Sequence, residues 1–200
     1  MLQTEFPRED YLQPSPLVDM NHPAIVQWVA DYEPEGRAER KIVQDTFEFV
    51  RDQVHHSWDI RSHRVTAKAS EVLHHQEGIC YAKSHLLAAL LRKSGVPTGF
   101  CYQRLTLGDT PETGYCIHAL NTVYLSSMRR WIRLDARGNK PGVDAQFSVE
   151  REHLAFPVRP EYEERDYETN YPQPHPKIVE ALMTHQDCLQ MYTAGLPKDL

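Results

Sequence analysis

Cysteine is scarce in this chain: four residues in 200, Cys80, Cys101, Cys116 and Cys188, with no CxxC pair. That excludes a disulfide framework and a zinc ribbon, both of which depend on paired, closely spaced thiols. Apolar runs are short, and none approaches the roughly 20 residues that cross a bilayer. The first ten residues carry neither a basic start nor an apolar stretch, so no secretory signal is expected and a cytoplasmic location is the default. Basic excess is missing too. With 22 Lys and Arg against 28 Asp and Glu, a formal charge of -6, the chain lacks the cationic surplus that nucleic-acid binding draws on. There is also no HExxH and no Cys/His finger spacing. The eleven histidines include the pairs His55-His56 and His74-His75, with His63 and His85 nearby. Adjacent histidines seldom point at one ion, so no metal and no cofactor is expected.

What is present suffices for one globular domain with appendages, since 200 residues at 40% hydrophobic content support a substantial core but not two full-sized domains. Residues 1–36 hold Pro7, Pro14, Pro16, Pro23 and Pro34, which fix dihedrals and remove donors too often for long elements. They form a proline-rich extension with one short helix over 24–31. A core follows over 37–156. Ile42, Val43, Phe47, Val50 and Val54 recur at three- and four-residue steps and predict an amphipathic helix over 37–55. A short helix over 70–74 follows a polar loop. A buried helix then begins at Cys80, runs through Leu86, Leu87, Leu90 and Leu91, and is stopped by Gly95 and Pro97.

Residues 98–107, 115–125 and 130–136 are rich in aromatic and branched side chains separated by turn residues, and they predict antiparallel strands. Helices followed by strands give an α+β fold. The last part, 157–200, combines a proline- and tyrosine-rich connector over 157–176 with a helix over 177–192.

Chemistry points to Cys80. It follows Gly78-Ile79 at a helix start, where the positive end of the dipole and free N–H groups favour a thiolate. Cys101 and Cys116 sit in strand-like segments as small hydrophobes, and Cys188 is a packing residue of the last helix. His118 and Asp135 lie further along, and if their strands pair with matching parity both side chains can face the Cys80 helix start. Each has an ordinary alternative: a buried structural cysteine, a hydrogen-bonded strand histidine, a strand-end turn aspartate. Their joint occurrence in this order favours a nucleophile, an acid/base and an orienting carboxylate.

Gly78-Ile79-Cys80, Leu90 to Pro97, His118-Ala119 and Trp131-Ile132-Arg133-Leu134-Asp135 together resemble the transglutaminase-like superfamily, with elements in matching order from about residue 54 to 156. The resemblance implies a papain-like α+β core in which a central Cys-bearing helix packs on an antiparallel sheet, with Cys80 as nucleophile, His118 as acid/base and Asp135 as orienting carboxylate. It implies acyl transfer on a peptide, protein or small amide substrate through a thioester, most simply with water as acceptor. The residues after Asp135 resemble a bacterial branch. One departure stands out: the family commonly carries Trp after His-Ala, where this chain has Leu120, so an aromatic wall beside the histidine is absent or comes from elsewhere.

Four further residues are candidates for oxyanion or substrate contacts. Gln76 could offer a side-chain amide and Trp58 an indole N–H, although a loop glutamine and a packing aromatic are the plainer readings. Arg137 and Asn139 flank Gly138 and either bind substrate or cap a strand-end turn. A rival from another class is a catalytically silent module of the same fold, in which the 157–176 segment is a preordered binding strip. The plainer role for that segment is a connector covering the core.

Overall fold

One helix organises everything else. In the computed structural model, which describes residues 2–108 and 110–200, every residue from Tyr81 to Arg92 is buried. A helix buried on all sides must be enclosed by other elements, and four do this. Three are helices: α1 (Pro23–Tyr32), α2 (Glu39–Gln53) and α3 (Ala69–His75). The fourth side is a sheet lying against the central helix, α4 (Cys80–Lys93).

The sequence explains these elements locally. Helix α1 starts with Pro23, and the His22 ring accepts from the Ala24 N–H at 3.2 Å. Helix α2 buries Ile42, Val43, Phe47 and Val50, the predicted stripe. Helix α3 is fixed at its start by Glu71, whose carboxylate accepts from the Ala67 and Lys68 backbone N–H groups at 3.0 and 3.1 Å. Buried polar groups on α4 find partners in the neighbouring backbone. Arg92 donates twice to the Thr98 carbonyl, at 2.9 and 2.7 Å, and His85 Nδ1 donates to the Ala67 carbonyl at 2.7 Å.

Between α2 and α3 runs β1 (His55–His56), which pairs in parallel with β2 (Glu77–Gly78) just before α4. The main sheet is antiparallel in the order β5-β4-β3-β6, from β3 (Thr98–Thr106), β4 (Tyr115–Leu125), β5 (Arg130–Leu134) and β6 (Arg165–Asp166). Alternation puts Phe100, Tyr102, Ile117, Ala119, Val123, Ile132 and Leu134 in the apolar core with α4. The other face carries Cys101, Gln103, His118, Leu120 and Arg133. There Gln103 donates to Asp166 at 2.9 Å, and Arg133 bonds both Asp166 and Glu152.

Both ends of the chain pack onto this body. In the proline-rich start, Tyr11, Leu17, Val18, Ile25 and Val29 are buried, and Tyr11 donates its hydroxyl to the Asn170 carbonyl at 2.9 Å. The 157–176 segment lies along the sheet: it supplies β6, and Tyr171 exchanges backbone hydrogen bonds with Phe100 at 2.8 and 2.9 Å. The helix expected over 177–192 is broken. Helix α5 (Pro176–Thr184) ends where the His185 ring bonds the Ala181 carbonyl at 2.8 Å, and Asp187 caps a new start by accepting from the Gln190 N–H at 3.0 Å. There α6 (Cys188–Gln190) begins and passes into a wide turn over Met191–Gly195. The apolar periodicity continues across the break, but an aspartate suited to an N-cap interrupts it. Among the described residues, no helix is long and apolar enough to cross a membrane.

Candidate active site

Cys80 is the first residue of α4, with Ile79 as its extended N-cap. The turn before it is tightly packed: a Cβ on Gly78 would lie 3.0 Å from Thr66 Oγ1 and 3.2 Å from Ala82 Cβ. Gly78 therefore lets the β2 backbone reach the helix at close range. The helix presents the Cys80 side chain, half-buried, to a cavity of about 560 Å³ that His118 also lines.

The strand register brings the histidine and the aspartate together. Asn121 pairs with Leu134, so continuing the ladder one step sets Asp135 opposite Leu120, with the same parity as His118. The contact is direct, with His118 Nε2 2.8 Å from Asp135 Oδ2, and both side chains are buried. The carboxylate also accepts from the Ala155 N–H at 3.0 Å and the Arg137 N–H at 3.2 Å, so its orientation is set by three donors. Burial alone would raise the Asp135 pKa. The His118 charge and these hydrogen bonds outweigh it and hold the group below the usual carboxylate range. For His118, burial opposes protonation, but the charge of Asp135, the nearby Cys80 and the hydrogen bond to Asp135 raise its pKa above the ordinary histidine value. With Nε2 taken by Asp135, Nδ1 is the ring nitrogen left for another partner. The buried carboxylate thus favours the imidazolium form of His118.

A family model for the transglutaminase-like superfamily matches residues 27–136, more than half of the chain. The chain belongs to this superfamily. Its fold is also that of a solved "putative cysteine protease" from Cytophaga hutchinsonii, with a TM-score of 0.50 at 19% sequence identity. The alignment covers 64% of this chain and 40% of that one, so this superfamily member spans less than half the length of that neighbour. No curated protein matches the sequence.

The other sequence-derived candidates divide. Trp58 and Arg137 line the cavity. Trp58 stacks on Tyr192 with ring centroids 4.2 Å apart and an interplanar angle of 14°, and the Arg61 guanidinium lies 4.5 Å from its ring centroid. Arg137 grips Asp59 with both terminal nitrogens, one at 2.9 Å, and Lys140 adds a contact at 2.6 Å. Burial would raise the Asp59 pKa, but these two cations lower it to about 2. Gln76 and Asn139 are not brought to the cavity. Gln76 ends α3 in the left-handed region, and its amide donates to the Leu73 carbonyl at 2.7 Å. Asn139 closes its own turn, accepting from the Ala145 N–H at 2.7 Å and donating to the Ala145 carbonyl at 3.1 Å.

The aromatic neighbour that Leu120 does not provide comes from a distant segment: Phe156 stands edge-on to His118 with centroids 5.3 Å apart. Sequence reasoning passed over Phe156, Asp59, Tyr192 and His56, all in or beside the site. None belongs to a local motif, and the Tyr192 contribution depends on where the C-terminal helix breaks. Cys116, expected as a packing residue, also lines the cavity, with burial pushing its thiol pKa up to about 12. Among the described residues, no group of three or more His, Cys, Asp or Glu side chains is arranged to hold a metal ion.

Proposed function

We propose that the chain is a cysteine acyl-transfer enzyme that cleaves a peptide or amide bond through a thioester on Cys80, with water as acceptor. The observation carrying this reading is that Cys80 and His118 line one cavity while His118 bonds the buried Asp135 carboxylate at 2.8 Å. The name of the Cytophaga hutchinsonii neighbour, a "putative cysteine protease", agrees with hydrolysis as the outcome.

In the reactive form the proton of the Cys80 thiol already rests on His118, giving a thiolate beside an imidazolium that Asp135 stabilises. The sulfur attacks the acyl carbon, and the carbonyl oxygen becomes an oxyanion beside the helix start, where the Cys80 backbone N–H is the first donor. The intermediate expels the amine as His118 protonates its nitrogen, leaving a thioester and a neutral imidazole. Water then enters and gives a proton to His118 while its oxygen attacks the thioester. Collapse releases the acid and returns the Cys80 thiolate beside the imidazolium. A primary amine entering in place of water completes a transamidation, and Trp58 and Arg137 are wall groups for the substrate in either case.

The test uses 4-nitrophenyl acetate, peptide anilides and glutamine amides, with and without a primary amine, on wild type and Cys80→Ala. Cys80-dependent turnover with carboxylic acid as the product supports the reading, and captured amine transfers it to amide exchange. Absence of acylation by every donor, together with iodoacetamide labelling of Cys80 no faster than of an ordinary exposed thiol, replaces it with the silent binding module.

A further inference from the structure

The acyl-transfer chemistry leaves one buried titratable group of the site unused. His56 is 5% exposed and lines the cavity that holds Cys80 and His118. It belongs to β1, where it pairs with Gly78, and the next residue donates its backbone N–H to the Gly78 carbonyl at 3.2 Å. The pairing ties the His56 backbone to the residue two before the nucleophile. The ring is held edge-on to Tyr192, with centroids 6.2 Å apart.

Its hydrogen bonding is incomplete. His56 Nδ1 is buried with no partner, a state that costs stability and calls for an explanation. With Nδ1 sealed off, Nε2 is the nitrogen left to meet a ligand, and a neutral ring protonated at Nε2 is a donor. The surroundings keep the ring neutral. Burial is the largest influence, Arg137, Lys83 and His118 add repulsion, and Asp59 alone opposes them, so the pKa lies well below the ordinary histidine value. A neutral donor suits this position, because it polarises a carbonyl without exchanging protons with the thiol and imidazole pair.

We infer that His56 is the second oxyanion donor, giving a ring N–H to the acyl oxygen as it becomes negative, alongside the Cys80 backbone N–H. This rests on the acyl-transfer reading above and adds a residue to it.

The experiment compares two reactions of the same thiol. Acylation by 4-nitrophenyl acetate passes through an oxyanion, whereas alkylation by iodoacetamide displaces iodide at a saturated carbon and forms none. His56→Phe should slow acylation about 100-fold or more, the usual cost of one lost oxyanion donor, while alkylation of Cys80 stays within about twofold of wild type. His56→Asn keeps an N–H donor of similar reach and should recover at least about tenfold of that loss. Wild-type acylation by His56→Phe overturns the inference, as does equal slowing of acylation in both variants. Alkylation slowed in step with acylation also overturns it, because that pattern reports a displaced nucleophile. If wild type forms no acyl-enzyme with any ester, the acyl-transfer reading fails first and the inference falls with it.

Discussion

Tyr81, the residue after Cys80, donates its hydroxyl to the carbonyl of Ile117, the residue before His118, at 2.8 Å and out of contact with solvent. One side chain thereby sets the height of α4 against β4 at the point where Cys80 and His118 must meet. Packing alone fixes such a register loosely, since apolar contacts are non-directional, whereas a buried hydrogen bond specifies one alignment.

Tyr81→Phe removes that bond while keeping the ring. The expected stability loss is about 1 kcal/mol, which for a chain of this size lowers Tm by about 2–4 °C. Acylation of Cys80 should fall about tenfold, because small misalignments of reacting groups are costly in rate. Thermal unfolding and single-turnover acylation are measured on the same preparation. A lowered Tm with an unchanged rate would mean that the bond supports the fold without aligning the site.

Lys83, one turn after Cys80, gives a pH-dependent prediction. Its ammonium is buried on the Val54 carbonyl at the end of α2, with the Arg51 carbonyl 3.5 Å away. Burial, reinforced by the Arg137 charge, lowers its pKa from 10.5 to about 7. Between those values the unfolded chain holds a proton that the folded chain has lost, so the stability contributed through Lys83 rises with pH. His118 has the opposite sign: its folded pKa is raised, so its contribution is full below the unfolded value and is lost as pH rises through the folded one. Lys83→Met removes only the first effect. The stability of wild type relative to Lys83→Met, from urea unfolding, should therefore grow from about pH 7 to about pH 10. A constant or shrinking difference would rule out a depressed Lys83 pKa.

The elements legible in the sequence are those long enough to show an apolar stripe or an apolar run bounded by turn residues. The α2 stripe, the apolar run of α4 bounded by Gly95 and Pro97, and the strands β3 and β4, rich in aromatic and branched residues between turns, all lie within a residue or two of their expected limits. The two-residue strands β1, β2 and β6 are too short to show any period, and they are fixed by partners far away in the chain. The site divides in the same way. Cys80, His118 and Asp135 stand in a recognisable order, and the strand parity that would unite the last two was open to argument. Phe156 and Tyr192 arrive from segments without periodicity. Gln76 and Asn139, chosen for nearness in sequence, satisfy their own turns instead, because a polar side chain beside a free backbone group bonds locally.

Asp135→Asn tests the carboxylate most directly. Asp135 receives three donors, from His118 Nε2 and the Ala155 and Arg137 backbone N–H groups, and an ionised carboxylate accepts all of them. An asparagine has one oxygen and one NH2. If the NH2 takes the place of Oδ1, the Arg137 N–H is left unsatisfied; if it takes the place of Oδ2, the Ala155 N–H is left unsatisfied, and the His118 ring must accept at Nε2 and carry its proton on Nδ1. The nitrogen facing Cys80 is then unable to take the thiol proton, and the imidazolium loses its counter-charge. Single-turnover acylation should fall by about 10³–10⁴-fold, a smaller loss than Cys80→Ala causes, and labelling of Cys80 near pH 6 should slow toward that of an ordinary thiol. Tm should drop by several degrees, since an orphaned buried donor costs about 1–3 kcal/mol. The roles separate cleanly in this variant: a folded Asp135→Asn protein that acylates at the wild-type rate would reduce Asp135 to a strand-end turn residue and leave His118 without its orienting partner.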